Sequence, residues 1–302
     1  MVGAPLGREG AALPAATENG LDVIVRFHAI ARLPELQRCL LSLIGQTYRP
    51  LTVHIVTQRF QPGDTAIAQH LVDTLARLEP DAAFHIHNFT DPEPADARSS
   101  LVNLGYANVR GRYVYLLDYD DVTSPHGCQT LVTDLLQTGA AISFGHVIGA
   151  HLTVDWPIIM SRTRQDLYVG NGLVDMLRQN FCPIHSFMVD RSRAAPDALW
   201  FDPARSRDED YDFLIRFCAE YPSSFAKKDY VVGFYGLKDD GSNTVVGPGV
   251  TTETRMAEWR RSFDLLTDQR SRTRVSPRVQ RQLGLVADPA LTVARLVKET
   301  PQ

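Results

Sequence analysis

The chain has 302 residues, of which 44% are hydrophobic and 22% charged, and its formal net charge is −4. These values are typical of a globular protein with a large core, and they provide no basic surface for a nucleic acid or an anionic membrane. No apolar run reaches the roughly 18 residues of a membrane span. Residues 1–20 lack the features of a signal peptide and are expected to form a disordered leader. The four cysteines have no paired spacing, which favours reduced thiols.

Short apolar runs alternate with amphipathic stretches over the first half of the chain. Strands are predicted at residues 21–27, 51–57, 84–89 and 113–117. Helices are predicted from Pro34, from a cap at Asp64, over residues 97–109 and from Ser124-Pro125. Their expected buried faces are Leu36, Leu40 and Leu43; Ile67, Leu71, Leu75 and Leu78; and Leu131 and Leu135. This alternation predicts an α/β fold with a mostly parallel sheet and helices on both faces.

The second half of the chain is less regular. A strand at 141–149 is followed by a short helix at 171–180, a strand at 184–190 and an acid-rich helix at 208–220. The pattern then predicts a strand at 229–236, a flexible loop at 238–249 and a final helix. The acid-rich helix is expected to bury Tyr211, Leu214 and Cys218, and the final helix to carry Met256, Trp259, Phe263 and Leu266 on one side.

Acidic residues follow directly on the apolar strand "YVYLL". Asp118 and Asp120 fall where ligands bind in open α/β sheets, beyond the carboxyl end of a strand. In an extended segment the two side chains point to the same side, about 6.6 Å apart at ~3.3 Å per residue. Carboxylate oxygens suit Mg²⁺ or Mn²⁺. A turn rich in Asp is the alternative explanation of this motif.

Three segments together resemble a known enzyme family: "LDVIVRFHAIARLPELQRCLLSLIGQTYRPLTVHIV", "NLGYANVRGRYVYLLDYDDVTSP" and "DEDYDF". In order and spacing they are similar to the inverting nucleotide-sugar glycosyltransferases of glycosyltransferase family 2. The resemblance covers residues 21–245. It implies a single GT-A domain with a nucleotide-sugar half at 21–125 and an acceptor half at 126–245, followed by a helical extension at 246–302.

The resemblance also implies partners and a location. The donor would be a nucleotide-diphosphate sugar, and the acceptor a hydroxyl on a glycan, a lipid-linked molecule or a small molecule. The cofactor would be a divalent metal, Mn²⁺ or Mg²⁺. The unpaired cysteines favour a cytoplasmic enzyme, one that would meet a membrane only peripherally, through its acceptor.

Residue roles follow from the same resemblance. Asp118 matches the position that contacts the donor ribose or the metal shell, and Asp120 the metal. Asp210, the second residue of the Glu-Asp pair, matches the general base, with Glu209 as the next candidate. We expect the dipole of a helix start to keep Asp210 ionised. A structural, acid-rich first turn of a helix is the alternative for this segment.

The donor pocket departs from the family pattern. Arg26, Phe27 and His28 stand where the family often has Pro-Thr/Tyr-Asn, and Gln58 stands near the usual base-reading Asp. These residues are expected to line the nucleoside pocket, because they lie at the ends of strands, where ligands of open α/β sheets bind. The amide of Gln58 can pair with a base edge. Other candidates for the donor side are Arg98, Asn103 and Tyr119, and His185 is an acceptor-side candidate. The alternatives are a surface helix residue for Arg98 and a structural histidine for His185. Residues 239–240 begin a loop similar to one that closes over the donor in the family.

Two other functions share parts of this pattern. A sugar-1-phosphate nucleotidylyltransferase has the same α/β architecture, but it would carry a glycine-rich triphosphate loop after the first strand, where this chain has "RFHAIARLP". A non-catalytic nucleotide-sugar binding module would keep the strands and lose the acidic residues, and both acidic motifs are present.

Overall fold

The computed structural model describes residues 17–155, 158–239 and 253–300. The strands are β1 (Thr17–Phe27), β2 (Leu51–Gln58), β3 (Ala82–Phe89), β4 (Gly111–Asp118), β5 (Val122–Thr123), β6 (Ile142–Asp155), β7 (Ile158–Gln165), β8 (Phe187–Asp190) and β9 (Ser223–Lys238). The helices are α1 (Leu33–Ile44), α2 (Pro62–Leu78), α3 (Arg98–Tyr106), α4 (Gly127–Thr138), α5 (Leu173–Arg178), α6 (Glu209–Glu220), α7 (Glu253–Arg272), α8 (Pro277–Gln282) and α9 (Val293–Glu299).

These strands form one sheet in the order β3-β2-β1-β4-β8-β6-β9-β5, with β7 paired to β6. The first four strands in this order are parallel, which brings the carboxyl ends of β1, β2 and β4 to one edge. The antiparallel strand β8 joins them to the second half, where β6 and β9 run parallel. Helices α1, α2 and α4 share one hydrophobic cluster with the sheet, and α3, α5 and α6 share another. The predicted α/β fold is therefore confirmed.

Most of the predicted buried helix faces are observed. The leucines predicted to face inward from α1 and α4 are buried, and so is the Tyr211 face of α6. Helix α2 differs, because Ala68, Val72 and Leu75 are buried while Ile67 and Leu78 are exposed. Its start also differs. Gln61 is the N-cap, and Asp64 completes a capping box from the third helical position, so the prediction of Asp64 as the cap is wrong.

Several element boundaries need correction. Strand β1 begins at Thr17, so residues 17–20 belong to the sheet, while residues 1–16 lie outside the described part of the chain. Helix α4 begins at Gly127, because the Ser124 hydroxyl donates a hydrogen bond to the backbone oxygen of Val231 instead of capping the helix. The hairpin strand β7 was not predicted.

The loop and the final helix are the last two predicted features. Position 240 and the rest of the predicted loop, up to residue 249, lie outside the described residues. Helix α7 is present, but of its four predicted inward residues only Leu266 is buried. Met256, Trp259 and Phe263 are exposed.

Candidate active site

A cleft of about 630 Å³ opens at the carboxyl ends of β1 and β4, beside the amino end of α6. Its charged lining residues are Arg26, Arg32, Arg98, Arg207, Asp96, Asp118, Asp120, Asp208, Glu209 and Asp210. Carboxylates thus outnumber guanidinium groups by six to four in this lining. Because ligands of open α/β sheets bind beyond the carboxyl ends of strands, this cleft is the candidate active site.

Arg26 connects two elements of the cleft. It is the last but one residue of β1 and pairs in register with Asp118 of β4. Its Nε and Nη2 atoms donate to the two oxygens of Asp118 at 2.6 and 2.8 Å, and Nη1 donates to Oε1 of Glu209 at 2.7 Å. Burial opposes ionisation of Asp118, but the charge of Arg26 outweighs it and lowers the pKa of Asp118 below its usual value. One guanidinium therefore fixes the end of β4 against the start of α6.

The chain turns directly after Asp118. The backbone N–H of Asp121 donates to the backbone oxygen of Asp118 at 3.1 Å, which is a turn. The extended geometry predicted for Asp118 and Asp120 is therefore wrong. Asp120 instead accepts from Lys238 at 2.7 Å, and that lysine side chain is only 1% exposed. Burial and the adjacent charge of Asp121 raise the pKa of Asp120 to about 6, although Lys238 acts in the opposite direction.

One carboxylate at this turn, that of Asp120, has an oxygen that could bind a divalent ion. Both oxygens of Asp118 accept from Arg26, whereas Oδ1 of Asp120 accepts no hydrogen bond from the described residues. Mg²⁺ commonly takes one or two carboxylates and completes its shell with substrate phosphates and water. In the described part of the chain no three His, Cys, Asp or Glu side chains form a metal-binding group. Asp120 is therefore the carboxylate best placed to hold an ion together with a bound phosphate.

Helix α6 begins with three consecutive acidic residues. Asp208 is its N-cap residue, adopts a left-handed backbone with φ of 53°, and accepts a hydrogen bond from the Ser262 hydroxyl. Glu209 is buried against Arg26. Asp210 lines the cleft, and its Oδ1 accepts from the backbone N–H of Tyr211 at 2.7 Å.

The proton affinity of Asp210 differs from the expectation. Burial and the negative charge of Glu209 raise the pKa of Asp210 to about 7, although Arg26 acts in the opposite direction. The prediction that the helix start keeps Asp210 ionised is therefore wrong, because desolvation exceeds the favourable effect of the helix amino end. A carboxylate whose pKa lies close to neutral pH suits proton transfer.

Six of the eight predicted donor-side residues line the cleft: Arg26 and Asp118, described above, and His28, Gln58, Arg98 and Tyr119. The Gln58 amide donates to the backbone oxygen of Ala95 at 3.0 Å. Arg98 forms an ion pair of 2.6 Å with Asp96 and also donates to the backbone oxygen of Ser206, just before α6. These contacts connect the end of β2 to the loop before α3, and the start of α3 to the loop that precedes α6.

Three other predicted site residues do not line the cleft. Phe27 is buried against Phe60 and Tyr119, with ring centroids 5.3 Å apart in both pairs. The Asn103 amide binds both backbone polar groups of Phe201, at 2.7 and 2.9 Å. His185 is fully buried, with Nδ1 located 3.1 Å from Oδ2 of Asp121. The structure thus corrects the pocket placement of all three side chains.

The contacts of Asn103 lead to a test. Asn103→Ala removes two part-buried hydrogen bonds, so the free energy of unfolding should fall by about 1–3 kcal/mol. Urea denaturation measures this change. Nucleotide affinity should stay the same, because Asn103 does not line the cleft. Gln58→Ala is the comparison and should show the opposite pattern, with weaker nucleotide binding and little loss of stability. Weaker nucleotide binding in a stable Asn103→Ala protein would contradict the structural role.

Several lining residues were not predicted as site residues. They include Tyr168, Tyr235, Arg207 and Trp259. Lys238, the ion-pair partner of Asp120, does not line the cleft and was not predicted either. The sequence did contain an indication for Lys238, since it is one of only four lysines and lies two positions after a predicted strand. Trp259 had none, because its helical spacing is equally typical of an ordinary buried stripe.

The sequence matches the profile described as "Glycosyl transferase family 2" over residues 23–192, more than half of the chain. The chain belongs to glycosyl transferase family 2. This family 2 chain is thus a glycosyltransferase. The matched segment ends before Asp210, so the match itself does not cover that residue. No curated protein matches its sequence.

Solved structures of low sequence identity share the fold of this family 2 transferase. One is S. aureus TarS 1-349 in complex with UDP-GlcNAc, with 10% identity and a TM-score of 0.57 over 87% of this chain and 70% of that one. Another is the mannosyltransferase PcManGT from Pyrobaculum calidifontis in complex with GDP-Man and Mn²⁺, with 13% identity and a TM-score of 0.55 over 92% and 70%. The chain spans 42% of the longer TarS structure.

These likenesses support the GT-A fold. None of the helices in the described ranges is long and apolar enough to cross a membrane.

Proposed function

We propose that this glycosyltransferase moves a sugar from a nucleotide-diphosphate sugar to an acceptor hydroxyl, with inversion at the anomeric carbon and Asp210 as the general base. The observation that carries this proposal is a cleft-lining carboxylate whose pKa is about 7, in the same cleft as Asp118 and Asp120. Direct displacement of the nucleotide by the acceptor inverts the carbon that is attacked. The product would be a glycan, a polysaccharide or another glycoconjugate.

The donor half of the cleft contains groups suited to a nucleotide. Gln58 and His28 lie at the ends of β2 and β1, and a glutamine amide can both donate to and accept from a base edge. Asp118 is held ionised by Arg26, which suits it to accept hydrogen bonds from ribose hydroxyls. Complexes of fold relatives with UDP-GlcNAc and GDP-Man support a donor of this class.

Asp120 would hold a divalent ion, Mn²⁺ or Mg²⁺, in this proposal. The complex of PcManGT with GDP-Man and Mn²⁺ supports such an ion. When bound, the ion supplies positive charge to the diphosphate as it leaves. Lys238 adds a fixed cation 2.7 Å from Asp120 and limits the negative charge that the diphosphate meets in this acid-rich cleft.

Asp210 acts on the other reactant. Its carboxylate removes the proton of the acceptor hydroxyl as that oxygen forms a bond to the anomeric carbon and the bond to the diphosphate breaks. The proton then passes from the protonated Asp210 to water before the next turnover. Since the pKa of Asp210 is about 7, both the ionised and the protonated form are accessible near neutral pH.

Thermal shifts with UDP-, GDP- and dTDP-sugars, each with Mn²⁺ or with EDTA, test the donor class and the metal together. We expect one nucleotide series to raise Tm in Mn²⁺, and less in EDTA. Asp120→Asn should lower the Mn²⁺-dependent part of the affinity by about tenfold or more, because the amide loses the charge that binds the ion. Lys227→Ala, at a position outside the cleft, is the control. Equal donor binding in EDTA would contradict the metal, and a product that retains the donor's anomeric configuration would contradict inversion.

A further inference from the structure

Helix α7 is joined to the loop in front of α6 by two side-chain contacts. Nη2 of Arg207 lies 2.9 Å from Oε2 of Glu258, and the Ser262 hydroxyl donates to the carboxylate of Asp208. Asp208 occupies the N-cap position of the helix whose second residue is Asp210. Helix α7 lies beyond the segment that matches the family, so the family pattern gives it no role. These contacts bring α7 to the acidic edge of the cleft.

Trp259 is the residue through which α7 enters the cleft lining. Trp259 is 41% exposed, which is a large value because tryptophan is highly buried on average. The guanidinium of Arg207 lies over the ring, 5.1 Å from its centroid. Nε and Nη2 of Arg207 both donate to Oε2 of Glu258, which fixes the guanidinium in place. The indole is therefore supported by Arg207 and still accessible from the cleft.

The charges nearby restrict the ligand that this surface suits. The charge of Arg207 is compensated by Glu258, and Asp208, Glu209 and Asp210 follow directly in sequence. Glu209 is paired with Arg26, but Asp208 and Asp210 have no ion-pair partner among the described residues, so an anionic ligand would meet the negative charge of these two carboxylates. A neutral sugar ring carries C–H groups that pack on an aromatic face, and its hydroxyls bind carboxylates and amides around its rim.

We infer that Trp259 is the stacking platform of the acceptor subsite and that its ligand is a neutral sugar ring. This inference rests on the proposed function, because the stacked sugar would supply the hydroxyl that Asp210 deprotonates. It assigns a binding role to the helical extension. It also narrows the acceptor from any molecule with a hydroxyl to a neutral glycan or glycoconjugate.

Saccharide binding to the full-length protein tests the platform without any donor. Cellobiose, chitobiose and mannobiose serve as neutral probes and digalacturonate as the anionic one, with Kd measured by NMR titration. We expect at least one neutral disaccharide to bind, and digalacturonate to bind more weakly. Trp259→Ala should weaken the neutral probe by about tenfold or more, and Trp259→Phe should recover part of the loss, since it keeps an aromatic face.

Trp200→Ala is the matched control. Trp200 is 43% exposed, close to the value for Trp259, but it does not line the cleft. Its substitution should leave saccharide binding unchanged, and thermal unfolding checks that each variant is folded. Equal affinity in Trp259→Ala and the wild type, an equal loss in Trp200→Ala, or no binding of any neutral probe would overturn the platform. Failure of the wild type to bind any nucleotide sugar would instead count against the proposed function, a result that the saccharide titration does not depend on.

Discussion

Asp210→Asn is expected to lower turnover by about 10²- to 10⁴-fold, the usual contribution of a general base. The substitution keeps the shape of the side chain and removes its ability to accept the acceptor's proton. Donor affinity should change little, because the carboxylates at the end of β4 and their cationic partners are untouched. The measurement is the initial rate at saturating donor and acceptor, with donor binding measured separately.

The pH dependence of the wild type adds a second check. Since the pKa of Asp210 is raised to about 7, turnover should rise with pH through about 7 as the base ionises. Glu209→Gln should move this limb to lower pH. It removes a negative charge that raises the pKa of Asp210. It also leaves Asp118 as the one carboxylate, among the described residues, that is paired with Arg26, whose charge lowers that pKa.

Stability separates a base from a helix cap in the same variant. A carboxyl whose pKa is raised by folding favours the folded state at low pH and loses that contribution as pH rises through its folded-state pKa. An asparagine does not ionise, so Asp210→Asn does not lose this stability as the pH rises. The variant should therefore be at least as stable as the wild type at pH 8. A large fall in Tm with turnover retained would identify Asp210 as structural. Near-normal turnover in a folded Asp210→Asn protein would redirect the search for the base to Glu209.

Arg26→Met should produce the largest combined loss of stability and activity. The substitution leaves Asp118 and Glu209 in the cleft without their shared cation, and breaking a buried ion pair from one side costs roughly 3–5 kcal/mol. Urea denaturation measures the stability. Turnover should fall as well, because the end of β4 and the start of α6 are no longer fixed to one another.

A charge-matched variant separates these two effects. In Arg26→Met combined with Asp118→Asn and Glu209→Gln, the unpaired charges are gone, so much of the lost stability should return. Activity should not return, since the triple variant lacks the fixed carboxylate at Asp118. Arg32→Met, at another cleft-lining arginine, is the comparison and should cost far less stability. If Arg26→Met were as stable and active as Arg32→Met, the central role of Arg26 would be excluded.

The sequence was most informative where a motif and an element boundary coincide. Asp118 and Asp120 could be placed at the ligand-binding edge because an unbroken apolar strand ends directly before them. Asp210 is identified through the resemblance to the family, whose motif is a Glu-Asp pair adjacent in sequence. These features depend on neighbours in sequence. The alternation of strands and helices predicted the α/β fold for the same reason.

Features that depend on distant contacts could not be predicted. Lys238 reaches Asp120 across 118 positions of sequence, so no local pattern connects them. Asn103 has a side chain equally suited to a ligand and to a backbone segment, and only packing shows that it binds Phe201. The raised pKa of Asp210 depends on burial by several elements, whereas the helix-start argument considered one element alone.

The pairing of β6 with β9 has a consequence for truncation. The family profile ends at residue 192, but β9 begins only at Ser223 and runs beside β6 from Ile142 to Leu152. A fragment that ended with the profile would expose one long edge of β6, a surface prone to pairing between molecules. It would also lack the α6 acids. Expression of a minimal domain must therefore extend well past the recognisable family segment, and a cut made at its end should yield aggregates.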